Sequence, residues 1–473
     1  MRFLIRPDRR CLNAPRKCRT RAECIRYNLA MARYNRRRYC FAMRTNILFR
    51  HRDFGLFWLG MLFVNLAVQI EAITIGWQIY GLGRATMSIE QSAFLVGMVG
   101  LAQFLPLFCL TLWAGTLVDR HSRRMIVMAS LFVEMICVLL LVGVALEPTP
   151  DYRHIFAVAA IFGAARAFLS PAASAVVPML VPIAEMPKAI SMKSLSWQGA
   201  VIVGPWIGGL LCAQSTALSY GVAAALYGAG IVLCLFLRAN TTPARQPGNA
   251  LELIREGLEY VWKQKIIFGA ISLDLFAVLL GGATALLPAF AADILKVGPE
   301  GFGILRSGPA LGAVVMALIL VRWPLKRRAG VRMFWAVAAF GAATVIFGLS
   351  KNMWLSVAAL AALGAADMVS VYVRQTLVQI VTPDHMRGRV SSVSGLFISG
   401  SNELGEFESG VVSRFLGPVG AAVFGGIGTL GVTGLWAWMF PALRKADRLD
   451  AVPDKAAEEA LPPHSAITPA SPV

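Results

Sequence analysis

Nine ionisable side chains lie inside stretches of the sequence that are otherwise apolar, and these residues are the best placed to do chemistry. An ionisable group among hydrocarbon is costly, so it normally faces a cavity or a partner. There it can bind a proton, hold a charged solute or form a structural ion pair, and at this point all three roles are open. The nine are Glu71, Glu134, Arg166, Asp274, Asp367, Arg374, Glu403, Glu406 and Glu408.

Two pairs of polar residues share a face at helical spacing. Glu71 and Gln78 are seven residues apart, as are Asp367 and Arg374, so each pair falls on one side of a helix. Glu71 also lies near the middle of its apolar stretch, which makes it our first candidate for a carboxylate that binds a proton. We assign no catalytic residue, and the protein is not expected to be an enzyme.

A compact charged turn separates two apolar runs that are each long enough to cross a bilayer. Its sequence is Gly115-Thr-Leu-Val-Asp119-Arg120-His-Ser-Arg123-Arg124. An aspartate with three arginines cannot lie in hydrocarbon, so the turn must lie at a membrane face. The positive-inside rule predicts that this face is cytoplasmic.

A second motif, Gly199-x-x-x-x-Gly204-Pro205-x-x-Gly208-Gly209, lies within a later apolar stretch. Its glycines let a neighbouring backbone approach closely, and its proline removes one hydrogen bond of the helix. Tight packing of membrane helices accounts for this pattern without any further function.

The elements that must position these residues follow from the composition. The chain has 473 residues, of which 57% are hydrophobic and 15% charged, and its mean hydropathy is +0.63. Soluble domains are about one-quarter charged, so we predict an all-α polytopic membrane protein. Twelve apolar segments are long enough to span a bilayer. Their predicted cores are 54–82, 92–116, 125–146, 154–180, 190–213, 217–237, 266–291, 302–321, 331–350, 352–380, 390–413 and 417–440.

The longest internal connection divides these spans into six and six. We therefore expect two pseudo-symmetric six-helix bundles, at 51–238 and 266–441, joined by a linker at 239–265 that contains a short amphipathic helix on the membrane surface. A weak repeat at an offset of 200 residues supports the two halves. It matches Val181, Met186, Ser191 and Ser194 with Val381, Met386, Ser391 and Ser394.

The basic residues of the loops are unevenly distributed. With the N-terminus inside, the cytoplasmic loops and the near C-terminus carry twenty Lys and Arg, and the loops on the other side carry six. This bias predicts that both termini are cytoplasmic. The six are Arg84, Arg153, Lys296, Arg306, Lys351 and Arg414.

Most of the formal net charge of +19 belongs to a tail. Residues 1–50 hold fourteen Arg and one Lys against Asp8 and Glu23, a net of +13, which leaves +6 for the rest. Because the excess positive charge lies in a tail and not in a groove, it gives no support for nucleic acid as a partner. We expect a disordered cytoplasmic extension, with translation starting at Met43, and an anchor for anionic lipid is the alternative. Residues 442–473, rich in Ala, Pro and charge, are also expected to be disordered.

No metal site or cofactor is expected. The spacing of four N-terminal cysteines matches no common zinc or disulfide pattern, and no paired histidines accompany them. No Walker motif is present, so direct use of ATP is not expected. The four cysteines are Cys11, Cys18, Cys24 and Cys40.

The charged turn resembles the loop between helices 2 and 3 of the major facilitator superfamily, whose usual form has glycine where this chain has Ser122. Residues 285–306 and 170–182, and Pro383-Asp-His-Met-Arg-Gly-Arg-Val390, resemble the bacterial branch of this superfamily that includes the enterobactin exporter and related efflux proteins. The similarity covers about residues 45–440.

This resemblance implies roles for several residues. Helices 1, 4, 7 and 10 would line a central cavity, and Asp119 with its arginines would form a gate at the cytoplasmic face. The sequence G-P-x-x-G-G in helix 5 is typical of exporters within the superfamily. Arg166 resembles the arginine of the helix 4 motif, although the pattern here continues as Arg166-Ala-Phe-Leu-Ser-Pro171.

The function implied is that of a monomeric transporter in the bacterial inner membrane. It would export a small organic molecule, siderophore-like or amphipathic, at the expense of the proton gradient. Proton-coupled uptake, or movement of a lipid-type solute, is one alternative. A membrane sensor or scaffold that uses the fold without transport is another.

Overall fold

The computed structural model describes residues 47–118, 120–239, 241–242, 250–325, 327–383 and 386–445. The expectations for the basic tail up to residue 46, for Asp119 and for the tail beyond residue 445 therefore lie outside the described residues. The described chain is almost entirely helical, and we number its long helices in order. They are α1 Arg52–Arg84, α2 Ile89–Val118, α3 Arg123–Leu146, α4 Tyr152–Leu180, α5 Met186–Gln214, α6 Thr216–Leu235, α7 from Lys265 to Ile294, α8 Gly298–Arg322, α9 Ala329–Leu349 and α10 Met353–Val381.

The last long helical stretch, Arg387–Met439, supplies two crossings. Its 53 residues would measure about 80 Å as one helix, whereas a hydrocarbon core is about 30 Å thick. Gly417 breaks it with φ 73° and ψ 167°, a conformation open to glycine, and Pro418 follows. We name residues 387–416 α11 and residues 418–439 α12. The ten preceding helices and these two confirm the prediction of twelve spans.

Helix α7 is discontinuous near its middle. The regular helix ends at Gly281, and after Gly282 the chain continues as a 3-10 turn, Ala283–Leu286, and a π-helical turn, Phe290–Ile294. We call Gly282 with this 3-10 turn the α7 break. Irregular backbone at membrane depth is tolerated where it is buried in protein or lines a cavity.

The helices pack as two halves with the same pattern of neighbours. In the first half, α1 packs on α5 and α6, and α3 on α4 and α6; in the second, α7 packs on α11 and α12, and α9 on α10 and α12. Between the halves, α2 packs on α11 and α5 on α8. Adding six to each helix number, with counting restarted after α12, converts the α2–α11 interface into the α8–α5 interface. The halves are therefore related by a pseudo-two-fold axis.

Loops gather at two ends of the molecule because successive helices run in opposite directions. The basic face carries the loop residues 120–122, 181–185, 323–325, 327–328, 382–383 and 386, and the opposite face carries those at 85–88, 147–151, 295–297 and 350–352.

The linker helix, Ala250–Lys263, lies at the basic face against the end of α10 and the start of α11. Tyr260 donates a hydrogen bond to the Val381 carbonyl at 3.2 Å, and Glu256 forms an ion pair with Arg389. On its exposed side, a hydrogen bond from Lys263 to Glu259 holds the pKa of that carboxyl below its usual value.

Candidate functional site

A cavity of about 400 Å³ lies between the two halves, near the middle of the spans. Helices α1, α4, α7 and α10 line it, together with α2, α5, α8 and α11, and the α7 break supplies the longest run of wall. Most of the lining is apolar with a few polar groups, as is usual for small-molecule sites. The polar lining residues are Gln69, Gln103, Arg166, Thr284, Arg306, Asp367, Asn402, Glu403 and Glu406.

Two glutamates of α11 face arginines across this cavity. Arg166 of α4 places Nη1 3.7 Å from Glu403 Oε1, which joins the two halves, and Arg306 of α8 places Nη1 3.4 Å from Glu406 Oε1. Thr284, in the α7 break, donates to the same Glu406 oxygen at 3.0 Å. The Arg166 and Glu403 side chains are 31% and 21% exposed, so solvent in the cavity weakens their attraction. A charged solute can therefore compete for these groups.

A third arginine is paired in the wall behind the cavity. Arg374 of α10 lies 3.1 Å from Asp274 of α7, and the two side chains are only 3% and 6% exposed. Asp367, one helical repeat before Arg374, lines the cavity and also a small adjoining pocket that Asp274 borders. Two carboxylates and one guanidinium lie in this cluster, so it can accept a proton without acquiring a net positive charge.

The polar face of α1 that the sequence singles out does not face the cavity. Tyr227 of α6 donates to Glu71 at 3.1 Å, and Tyr220 of α6 donates to Gln78 at 2.8 Å. Glu71 is 1% exposed, whereas Gln69, on the neighbouring face, lines the cavity. Glu71 lies near mid-span, as predicted. Helical spacing alone does not tell which polar face of α1 turns toward α6.

Arg123 and Arg124 of the charged turn bind backbone carbonyls of α4 and of the end of α6, all within the first half. Arg123 donates to the Ala175 carbonyl of α4 at 2.8 Å. Arg124 donates to the carbonyls of Leu235 and Leu237 at 2.7 and 2.6 Å, at the end of α6. Cations are favoured at helix C-termini because the last carbonyls lack helical partners. These two arginines therefore tie the start of α3 to its neighbours in the same half.

The other members of the turn are less constrained in the described structure. Arg120 is exposed, and a Cβ added at Gly115 of α2 would meet nothing within 4 Å. Asp119 lies outside the described residues, so a gate formed by this residue stays a prediction.

The glycine motif of α5 is at two helix crossings. Gly204 and Gly208 face α1, where a Cβ on Gly208 would lie 3.1 Å from backbone. Gly209 and the Pro205 carbonyl meet Gly303 of α8, and a Cβ on Gly209 would lie 3.2 Å from the Gly303 Cα. The motif thus permits both a contact within the first half and the contact between halves.

The cavity is closed toward the opposite face by contacts between the halves. Tyr80 and Arg84 of α1 both bind Asp293 of α7, Arg84 through Nε at 3.2 Å. Ser307 of α8 donates to the Ile202 carbonyl of α5 at 2.8 Å. These contacts, like the Arg166–Glu403 pair, lie level with the cavity or nearer this face.

Sequence reasoning missed two of these charged groups. Arg306, which we counted on an outer loop, lies inside α8 and points into the cavity; its position within the predicted core at 302–321 was the available signal. Asp293 follows the predicted core of span 7 by two residues and joins α7 to α1. Neither change alters the strong excess of basic residues on the other set of loops.

Twelve helices in two pseudo-symmetric halves around a cavity at mid-membrane define a secondary transporter of the major facilitator type. Solved structures share this fold. A POT family transporter in complex with 5-aminolevulinic acid superposes with a TM-score of 0.67 at 11% identity, covering 84% of this chain and 97% of that chain. For a D-xylose-proton symporter the TM-score is 0.63 at 13% identity, with coverage of 84% and 99%.

The family follows from the sequence itself. Residues 45–465 match the profile of transmembrane secretion effectors, so this chain belongs to that family of the major facilitator superfamily. It is similar to the enterobactin exporter EntS of Shigella boydii serotype 4, at 26% identity over 81% of this chain and 85% of the relative, and to EntS of Escherichia coli O139:H28, at 27% identity with the same coverage. The chain is thus a transporter and not an enzyme, and the resemblance noted in its motifs is confirmed.

Proposed function

We propose that this protein exports a small organic molecule, siderophore-like or amphipathic, across the bacterial inner membrane in exchange for protons. The observation that carries the proposal is the cavity between the halves, in which Arg166 of one half pairs with Glu403 of the other. A solute that binds one of these side chains alters the attraction between the halves, and alternating access requires such a dependence. The similarity to enterobactin exporters favours export.

The orientation of the transporter follows from its loops. We infer that the basic face is cytoplasmic, as the positive-inside rule requires, and that both termini lie on that side. Because the closing contacts lie toward the opposite face, the cavity is then in its inward-open state, ready to take a solute from the cytoplasm. Nothing in the cavity needs a second copy, and we propose that the monomer in the bilayer is the working unit.

The coupling proton has two candidate sites. One is the cluster of Asp274, Asp367 and Arg374, which borders the cavity, and the other is Glu71 behind α1. We propose the first, because a proton on Asp367 changes the charge that a solute in the cavity meets directly. Glu71 instead has its hydrogen-bond partner in the core of the first half.

Export can be tested in everted membrane vesicles, in which the cytoplasmic face is outside. With enterobactin as the probe, we expect uptake into vesicles that are acidified inside by respiration, and loss of that uptake when a protonophore is added. Vesicles without the protein are the control. Accumulation only with the opposite gradient would replace export by uptake, and binding of the probe without movement would favour a sensor.

Replacing one carboxyl by an amide at each candidate site shows which of the two sites binds the coupling proton. In vesicles that transport, Asp367→Asn is expected to make the rate independent of internal pH, because the proton-accepting group of the cavity wall is gone. Glu71→Gln should retain the wild-type pH dependence. The measurement is the initial rate between pH 5.5 and 8, and the reverse pattern would assign the proton to Glu71.

The gate at the charged turn has its own test. Asp119→Asn is expected to lower transport about tenfold, the effect of about 1.4 kcal/mol on the balance of the two states, while folded protein remains in the membrane. His121→Gln, a change of an exposed side chain in the same turn that is not part of the proposed gate, is the matched control. Full activity of Asp119→Asn would remove this role from the aspartate.

A further inference from the structure

A second pocket, of about 130 Å³, lies in the first half toward the basic face. Helices α1, α4 and α5 surround it, and its walls are largely aromatic and aliphatic, with Phe57 and Trp58 from α1 and Val177 from α4. Trp197 of α5 lines both this pocket and the central cavity. The pocket therefore adjoins the central cavity, with Trp197 between them.

One cation borders this apolar pocket. Lys193 of α5 donates from Nζ to Ser174 Oγ at 2.8 Å, and the described part of the chain offers it no carboxylate within ion-pairing distance. This differs from the arginines of the central cavity and its wall, which are each paired with an acid. Lys193 is itself exposed at the edge of the pocket, and an ammonium group beside apolar walls and without a counter-ion favours an anionic ligand.

The second half has no such feature at the equivalent position. At the offset of the internal repeat, Lys193 corresponds to Val393, which is 1% exposed. Val393 is packed in a core cluster with Val378 and with Val261 of the linker helix. The linker helix thus closes the second half at the place where the first half keeps a pocket and a charge. The asymmetry argues against a pocket that merely results from helix packing.

We propose that this pocket is an entry subsite that takes an aromatic or short acyl group bearing a carboxylate, with the carboxylate on Lys193 and the apolar part against Trp58 and Phe57. An engineered cavity of about 150 Å³ binds benzene, so the volume suits one ring or a chain of similar size. From there the solute passes Trp197 into the central cavity. The assignment rests on the proposed export function, for which it names a class of substrate, the anionic amphiphile.

The test is binding to the purified full chain in nanodiscs of phosphatidylcholine, with benzoate as the probe and neutral benzamide as its uncharged counterpart. Lys193→Met is expected to weaken benzoate binding about tenfold, because one charge-assisted contact is lost, and to leave benzamide binding unchanged. Lys188→Met, which alters an exposed lysine of the same helix, should change neither. Ala173→Leu, which fills the pocket from α4, should weaken both.

Several outcomes would overturn the subsite. Equal benzoate binding by the wild type and by a Lys193→Met variant with the wild-type melting temperature would do so. Displacement of benzoate by oleate added to the bilayer, but not by other soluble carboxylates, would assign the pocket to membrane acyl chains. Binding needs no proton gradient, so loss of export with intact, Lys193-dependent binding would speak against the proposed function and leave the subsite standing.

Discussion

Replacing Arg374 by methionine is expected to destabilise the folded protein by about 3–5 kcal/mol, the usual cost of removing one partner of a buried ion pair. The reason is the burial of Asp274, whose side chain is 6% exposed and would lose the guanidinium 3.1 Å away. The measurement is the melting temperature of the detergent-purified protein, together with its yield in the membrane.

The double variant Asp274→Asn with Arg374→Met separates structure from coupling. Replacing both partners of a buried pair is often neutral, so the double variant should recover most of the stability that the single variant loses. We expect its transport to remain impaired, because the cluster that receives the proton is dismantled. Recovery of both stability and transport would reduce the pair to a structural role. A single variant as stable as the wild type would contradict the burial argument itself.

Replacing Gly209 by leucine is expected to hold the two halves apart at the opposite face and to stop transport. A Cβ at this position would lie 3.2 Å from the Gly303 Cα and closer still to the Pro299 carbonyl oxygen, both on α8. Overpacking of this kind costs about 1–3 kcal/mol, and 1 kcal/mol already shifts a balanced equilibrium about fivefold. The cost applies only to the state in which α5 and α8 are in contact.

The same helix supplies the matched control for this steric effect. A Cβ at Gly199 would meet nothing within 4 Å, so Gly199→Leu should transport normally. Spin labels at Ser88 and Lys296, in a background without native cysteines, report the distance between the loops of the opposite face. We expect a longer distance in Gly209→Leu than in Gly199→Leu. Equal distances, or equal transport, would show that the α5–α8 contact does not control closure.

The number of helices was predictable because the hydrophobic effect acts on each segment separately. Even the boundary between the last two spans was set locally, by Gly417 and Pro418, which interrupt an otherwise continuous helix. The pairing of Arg374 with Asp274 was not predictable, because it depends on how α7 and α10 are rotated against each other.

The rotation of α1 against its neighbours likewise determines the position of Glu71, and it was not predictable. Its helix carries polar residues on two faces, and only the tyrosines of α6 determine which face is turned away from the cavity. Conversely, Asp367 was placed on the lining helix by the resemblance to the superfamily, and it does border the cavity. The resemblance to the superfamily thus predicted which helices line the cavity, whereas tertiary packing determines which of their side chains face it.

The α7 break can act as a hinge as well as line the cavity. The eleven residues from Ala283 to Asp293 form an arm of about 16 Å, pivoted at Gly282. A swing of about 10° at that pivot displaces the tip by about 3 Å, enough to part Asp293 from Arg84 and Tyr80 while the rest of the second half stays still. The contacts of Asp293 at the opposite face can then break before the two halves rock against each other. The first step of release requires the motion of one short segment rather than of six helices.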